Sequence, residues 1–365
     1  MIIFILILSV LIFVHELGHF IAAKRLGIRV EKFSLGFGPK LLSKKVGDTQ
    51  YLLCLIPFGG YIKMAGDNLE EYQGVRDEFL SRSPGERARV IFAGPFFNYV
   101  LAFLCLWMVF FLGYPKLTTT VGSLIDGMPA QVAGFKIGDR IVEVDDIKVE
   151  FWDDLARKIR AKKGQTLKLK VLRGEEEFDL NLTPQMKEVE TIIGKRQEVG
   201  LIGIKPADEV VKVRYGFWLA LIKGAQNLFE MTWMTLSAIF YIIIGTMSFK
   251  ESVTGPLGIF FITSNAAKIG FSALLHVVGI LSMSLAVFNL LPLPILDGGH
   301  IFLAGLEKIR RKRLSLKLEN LINNIGMSFL IILAVFIFCN DFIRYGYWDK
   351  IVYHLSRNAA CSESR

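Results

Sequence analysis

Residues 2–23 read IIFILILSVLIFVHELGHFIAA, an apolar run long enough to cross a bilayer as one helix, and its middle holds His15-Glu16-Leu17-Gly18-His19. On a helix, His15 and His19 lie one turn apart on a shared face, so both imidazoles can reach one metal ion. Glu16 stands beside them, where a carboxylate can act as base toward a metal-bound water. An ionisable group at membrane depth costs about 2.5–3.5 kcal/mol on insertion scales, which makes such a cluster functional by default. H-E-x-x-H alone recurs in helices that bind nothing, and an apolar run alone says only membrane. Together they point to a membrane-embedded metalloenzyme. A cleaved signal peptide does not fit. No basic residue precedes the run, a polar cluster has no place in its core, and Lys24-Arg25 follow it as a cytoplasmic stop.

The rest of the 365 residues extends the same reading. The chain is 52% hydrophobic with 29 Phe, so most of it belongs in or against lipid. Four stretches have spanning length: 1–23, 90–112, 271–291 and 321–338. A fifth, 217–247, is less uniform, with Lys223, Gln226, Asn227 and Glu230 near its start. Residues 24–89 carry 12 Lys/Arg against 8 Asp/Glu next to two spans, and a second basic cluster fills 308–317; both are expected on the cytoplasmic side. The net charge of +9 is therefore local and juxtamembrane, and implies no nucleic-acid partner. With both basic regions inside, 217–247 cannot be one simple crossing. It is expected to lie in the interface, to be re-entrant, or to pair with 256–267. Cys54, Cys105, Cys339 and Cys361 have no paired spacing, so neither a disulfide framework nor a cysteine metal site is expected.

Residues 118–206 break the apolar pattern and read as an inserted α+β domain. Strands are expected at 120–124, 140–144, 148–149, 166–172 and 177–182, a short helix at 129–133, and a longer helix at 152–162 with Trp152, Leu155 and Ile159 on one face. The fold class is thus a mainly α-helical polytopic membrane protein of about four transmembrane helices. Its expected divisions are 1–117, 118–206, a helical connector at 207–270, a C-terminal pair of spans at 271–345, and a tail at 346–365.

A hydrolytic zinc site needs three protein ligands and one open position. Asp297 is the best third ligand, in Asn289-Leu290-Leu291-Pro292-Leu293-Pro294-Ile295-Leu296-Asp297-Gly298-Gly299-His300. The prolines break helical hydrogen bonding near membrane depth, which is tolerated only where the backbone is buried in protein or lines a wet cavity. Asp297 could instead cap the following helix. His300 is a rival ligand; His276 and His354 read as incidental.

At these residues a family resemblance becomes specific. His15-Glu16-x-x-His19 together with Asn289-x-x-Pro292-x-Pro294-x-Leu296-Asp297-Gly298 resembles the site-2 protease family of intramembrane zinc metalloproteases, more closely its RseP/RasP branch. Further matches are Phe33-Ser34-Leu35-Gly36-Phe37-Gly38-Pro39, Pro57-Phe58-Gly59-Gly60-Tyr61-Ile62-Lys63-Met64, Ala93-Gly94-Pro95-x-x-Asn98 and Gly255-Pro256-Leu257-Gly258-Ile259. Pro129-Ala130, Ala133-Gly134 and Gly138-Asp139-Arg140-Ile141 resemble the core of PDZ domains, and there is room for one such domain where some members of the branch carry two.

The resemblance implies Zn2+ held by His15, His19 and Asp297, with Glu16 and Asn289 as catalytic residues. It implies a membrane-associated β-hairpin over 33–64, and substrate binding by Gly59, Gly60, Asn98 and Asn289. The implied substrates are single-span membrane proteins, such as anti-sigma-factor-like proteins or remnant signal peptides, cut in regulated intramembrane proteolysis. The implied location is the bacterial inner membrane, with the PDZ-like domain extracytoplasmic. A PDZ-like domain can capture an extended peptide or exclude bulky substrates by size. Two other function classes remain: a catalytically silent adaptor using that domain, and a zinc transporter. A transporter should show ionisable groups in several spans, whereas here they converge on one site.

Overall fold

In the computed structural model, which describes residues 2–162, 164–190, 196–312 and 315–344, the first apolar run is one helix, α1 (Ile2–Arg25). Its buried residues include Leu11, His15, Gly18 and His19, three or four apart, so both histidines sit on the stripe that packs against protein. Two long strands follow, β1 (Val30–Val46) and β2 (Thr49–Met64), and then α2 (Pro84–Leu112). Ser83 caps α2 reciprocally with Glu86: the Ser83 hydroxyl and N–H donate to the Glu86 carboxylate, and Ser83 Oγ accepts the Glu86 N–H. This capping box starts α2 six residues before the apolar run that marked it in the sequence.

The β1–β2 hairpin turns at Gly47-Asp48 and then doubles back. Lys32 to Leu35 pair with Lys63 to Gly60 on one side and with Gln50 to Leu53 on the other. Gly36 allows the bend: its φ is +86°, and a Cβ there would stand 2.6 Å from the Ile56 carbonyl oxygen. Two strands thereby make a sheet wider than an isolated hairpin, which on its own is marginally stable. Ser9 of α1 donates to the Pro57 carbonyl and ties the hairpin to the helix.

The chain separates into two compact units, one of residues 1–108, 223–236 and 249–365, the other of 109–222 and 237–248. The second unit holds β3 (Tyr114–Leu117), β4 (Val121–Leu124), α3 (Pro129–Val132), β5 (Arg140–Val144), β6 (Ile147–Lys148), α4 (Trp152–Ala161), β7 (Leu167–Arg173), β8 (Glu176–Leu182), β9 (Gln185–Glu190), β10 (Arg196–Leu201), β11 (Ile204–Pro206) and β12 (Val210–Val213). Strands β6-β5-β7-β8 form one sheet, and β9/β10, β4/β11 and β3/β12 pair separately. Leu167, Leu169 and Val171 alternate into a core with Ile141, Leu155 and Ile159.

The insert is larger than 118–206. Leu117 pairs with Val210 and Tyr114 with Val213, so β3 and β12 close its base on both sides of the expected limits. Pro115 hid β3, because proline argues against a strand except at an edge, which is where β3 lies. The short strand expected at 148–149 is Ile147–Lys148, and the β9–β10 hairpin gave no clear alternation to read.

Asp139 is the polar anchor of this unit. Fully buried, it accepts hydrogen bonds from Arg173 Nε at 2.7 Å, Arg173 Nη2 at 2.8 Å and the Lys136 N–H at 2.8 Å. Burial pushes its carboxyl up, but the Arg173 and Lys136 hydrogen bonds prevail and hold it below the ordinary value of 3.8. A carboxyl lowered on folding contributes stability above its unfolded pKa and loses that contribution as pH falls through the folded one. Asp139→Ala should therefore destabilise the unit by about 1–3 kcal/mol at pH 7, since Arg173 keeps access to water, and by less below about pH 4. Protease resistance of the full chain across 109–222, followed against pH, checks this. Equal resistance of variant and wild type at pH 7 would count against it.

The remaining helices are α5 (Phe217–Ile243), α6 (Phe249–Ser252), α7 (Pro256–Ile269), α8 (Phe271–Asn289), α9 (Asp297–Arg310) and α10 (Leu316–Arg344). Among the described residues four helices are long and apolar enough to cross a membrane: α1, α2, α8 and the Asn320–Arg344 stretch of α10. Two helices follow α2 in the opposite direction. On α8, Gly279 meets Cys105 and Leu106, and Ala286 and Val287 line one cavity with Phe92 and Phe96. On α5, Gly224 abuts Leu106 and Trp107, Thr232 bonds Tyr99 at 2.9 Å, and Leu236 lies by Phe92. Residues 223–236 of α5 thus pack along α2.

Asp341 lies near the end of α10. Fully buried, it accepts the Gly255 N–H at 3.0 Å and the Gly258 N–H at 3.1 Å, capping α7 from a distant helix. Cys54, Cys105 and Cys339 are free thiols. Residues 346–365, with His354 and Cys361, lie outside the described residues, as does Arg313 of the basic cluster.

Candidate metal centre

His15 and His19 reach their place because α1 and α2 cross at glycines, Gly18 on one helix and Gly94 on the other. A Cβ on Gly18 would stand 2.8 Å from the Ala93 carbonyl carbon. One on Gly94 would stand 2.5 Å from His19 Cε1 and 2.9 Å from His15 Cε1. Small residues at such a crossing let the backbones approach, and here they make room for two imidazoles. His19 Nδ1 lies 2.9 Å from the Val90 carbonyl oxygen. That oxygen can only accept, so Nδ1 carries the proton and Nε2 presents its lone pair.

Asp297 arrives from the broken end of α8. After Asn289 the chain leaves the helix, Leu293 N–H turns back to the Leu291 carbonyl at 2.7 Å, and Ile295 takes a left-handed φ of +77°. For a β-branched residue that conformation is strained, and such strain gathers at functional sites. α9 then starts at Asp297. Gly298 and Gly299 fit because their missing side chains would run into the Leu290, Leu291 and Leu293 carbonyls. An ion pair between Arg87 and Glu307 ties α9 to the start of α2.

The three side chains converge. His15 Nε2 is 3.1 Å from Asp297 Oδ2, His19 Nε2 is 3.6 Å from it, and the two Nε2 atoms are 3.2 Å apart. Asp297 Oδ2 is buried and meets no well-aligned hydrogen-bond donor. Zinc bonds of about 2.0–2.1 Å in a tetrahedron set neighbouring ligand atoms about 3.3–3.4 Å apart, and the observed triangle brackets that spacing. Among the described residues, these three form the sole group of His, Cys, Asp and Glu able to share a metal ion. The donor set fits zinc.

The triangle opens into a cavity of about 480 Å³ that also takes in Glu16, Asn289 and His300. Its other wall is β2, through Tyr61, Ile62 and Met64. The expected site residues His15, Glu16, His19, Asn289 and Asp297 therefore share one space, with the rival His300 in it. The glycines do not line it: Gly59 faces the Phe37 ring, and a Cβ on Gly60 would sit 3.5 Å from Glu16 Cγ. Their strand reaches the cavity through the residues that follow them. Asn98 stands apart from the other expected site residues. It is wholly buried behind His15, with Nδ2 3.4 Å from His15 Nδ1, and is not among the residues lining the cavity. His276 lies on α8 away from the cavity. Sequence reasoning missed Val90 and Ser282, whose hydroxyl donates to the Asn98 carbonyl at 2.7 Å. The only signal for Ser282 was its place two helical turns before Asn289.

Comparison with known proteins extends over most of the chain. Residues 3–333 match the profile of peptidase family M50. A candidate zinc metalloprotease of Campylobacter jejuni is 32% identical over 343 residues, 93% of this chain and 92% of its own. One from Clostridium perfringens is 34% identical over 341 residues, 92% of this chain and 96% of its own. The zinc metalloprotease RasP of Oceanobacillus iheyensis is 29% identical over 423 residues, 93% of this chain and 98% of its own. Among solved structures, the PDZ domain of an SdrC-like protein from Listeria monocytogenes is similar at 22% identity and a TM-score of 0.20, covering 24% of this chain and 86% of that one.

Proposed function

Since the chain belongs to peptidase family M50, the site-2 type of membrane zinc metalloprotease, we propose that it cuts single-span membrane proteins or signal-peptide remnants inside the bilayer, with zinc held by His15, His19 and Asp297. The observation that carries this reading is the convergence of those three donor atoms in one cavity with Glu16, the two histidines and Glu16 coming from a helix apolar enough to span a membrane and Asp297 from the broken stretch that follows another. Zinc supplies Lewis acidity toward water and the scissile carbonyl. Glu16 takes the proton of the attacking water and returns it to the leaving amide nitrogen. Asn289 offers an amide N–H to the substrate carbonyl as charge develops on its oxygen.

A transmembrane substrate hides its peptide bonds in helical hydrogen bonds, so it must unwind before it is cut, and in lipid the freed groups need partners. Tyr61, Ile62 and Met64 border the cavity from a strand whose pairing partner lies on β1, which supports strand addition at that edge. The inserted domain, extracytoplasmic in this reading, restricts access to substrates already trimmed by an earlier cleavage. The basic loop at 308–317 is cytoplasmic, and the protein resides in a bacterial inner membrane, serving regulated intramembrane proteolysis.

Reconstitution in liposomes with one single-span protein, offered with and without its bulky outer domain, tests this. Cleavage of the trimmed form should fall within its span, stop on chelation and return with zinc. Cleavage only outside the span, or indifference to chelation, would sink the proposal. Deleting 114–213 should extend cleavage to the untrimmed form.

A further inference from the structure

A histidine that binds metal through Nε2 must carry its proton on Nδ1, and that N–H is ordinarily held by an acceptor which fixes both tautomer and ring orientation. His19 has the Val90 carbonyl for this. For His15 the polar group found at Nδ1 is the Asn98 carboxamide, with Nδ2 at 3.4 Å. Asn98 is fully buried, and its Oδ1 is a buried oxygen with no hydrogen-bond partner. In that orientation an amide N–H faces a ring nitrogen that must itself donate when Nε2 holds metal, while a good acceptor goes unused. The two ends of a carboxamide exchange by a half-turn about Cβ–Cγ, which would mend both faults at once.

We propose that Asn98 is the positioning residue of His15: its Oδ1 accepts the Nδ1–H of His15 and turns Nε2 toward the metal. The inference rests on the zinc reading and extends it to a fully buried residue outside the cavity lining. The surroundings suit a fixed support. Gly94, one turn before Asn98 on α2, lies under both imidazoles, so this face of α2 is the seat of the pair. The Asn98 carbonyl accepts the hydroxyl of the fully buried Ser282 at 2.7 Å, which locks that turn of α2 against α8. The same helix ends seven residues later at Asn289, on the cavity wall.

The test is zinc affinity of the full chain in detergent, measured by competition with a chelator, beside the thermal midpoint of each metal-free protein. Asn98→Ala removes the acceptor and should weaken zinc by about 10–100-fold, the usual effect of losing such a partner. Asn98→Asp supplies an acceptor on both oxygens and should hold zinc at least as tightly as wild type. A merely structural Asn98 predicts the reverse order, because a carboxylate is harder to bury than a methyl group. The proposal falls if Asn98→Ala binds zinc like wild type, or if Asn98→Asp loses as much affinity as Asn98→Ala. Should Asn98→Ala not fold, Ser282→Ala, which only loosens the support, must still lower the affinity. His19→Ala separates this from the underlying reading: if it and wild type bind zinc alike, the metal centre itself is wrong and the inference falls with it.

Discussion

Glu16→Gln is expected to leave the protein folded and zinc-loaded while slowing cleavage by at least about 10²–10⁴, the usual contribution of a general base. The substitution is nearly isosteric and Glu16 is not one of the three converging ligands, so the His15–His19–Asp297 triangle should stand. A carboxamide cannot take up the proton of an attacking water. The cavity places Glu16 beside the triangle, and a Cβ on Gly60 would stand in ordinary contact with its Cγ, so Glu16 lies between the metal ligands and strand β2. Zinc content, thermal midpoint and cleavage of a reconstituted single-span protein are to be measured on one preparation. Cleavage at the wild-type rate would remove Glu16 from the mechanism. Loss of zinc along with activity would show that it supports the metal instead.

The site was legible in the sequence where its logic is local and illegible where it depends on a helix crossing. His15, Glu16 and His19 declare themselves because helical spacing puts them on one face, and an apolar run has no other use for three such groups. Asp297 is almost 280 residues further on, yet the run that ends in Pro292 and Pro294 marks a broken backbone at membrane depth, and that break has to be buried. Gly94, Val90 and Ser282 gave no comparable signal. Each matters for what stands across from it on another helix, and nothing within a few residues of it reveals that neighbour. Asn98 is similar: a polar residue in a span invites a functional role, and only the packing of α2 on α1 shows that it stands at the back of His15.

The same distinction runs through the fold. Alternation located β4, β5, β7 and β8, and the apolar face of α4 was readable from Trp152, Leu155 and Ile159. The pairing of β3 with β12, nearly a hundred residues apart, was not, since each strand has four residues and neither alternates clearly. In α5 the polar residues Lys223, Gln226, Asn227 and Glu230 stand out in the sequence, while the contacts that pack it on α2 fall on Gly224 and Thr232. A close approach at glycine and a single hydroxyl pair carry little weight in a hydropathy window.

Asp297→Ala should abolish the stabilisation that zinc confers while leaving the metal-free protein as stable as wild type. The two halves of that expectation have separate grounds. Asp297 begins α9, but the N-cap position belongs to Leu296 and no side chain caps the helix, so α9 does not depend on this carboxylate as it would on a capping aspartate. Its buried Oδ2, with two imidazole nitrogens near it and no aligned donor, has the surroundings of a metal ligand. A ligand that binds only the folded state stabilises it by about 4 kcal/mol when present at a thousandfold its dissociation constant. Wild type should show that gain as a raised thermal midpoint in zinc. The variant, left with two imidazoles, should show little of it, and its bound zinc should fall well below one per chain. His300→Ala should behave like wild type, because His300 lines the cavity but stands outside the triangle. An undiminished zinc-induced rise in Asp297→Ala, lost only when His300 is also removed, would transfer the third ligand to His300.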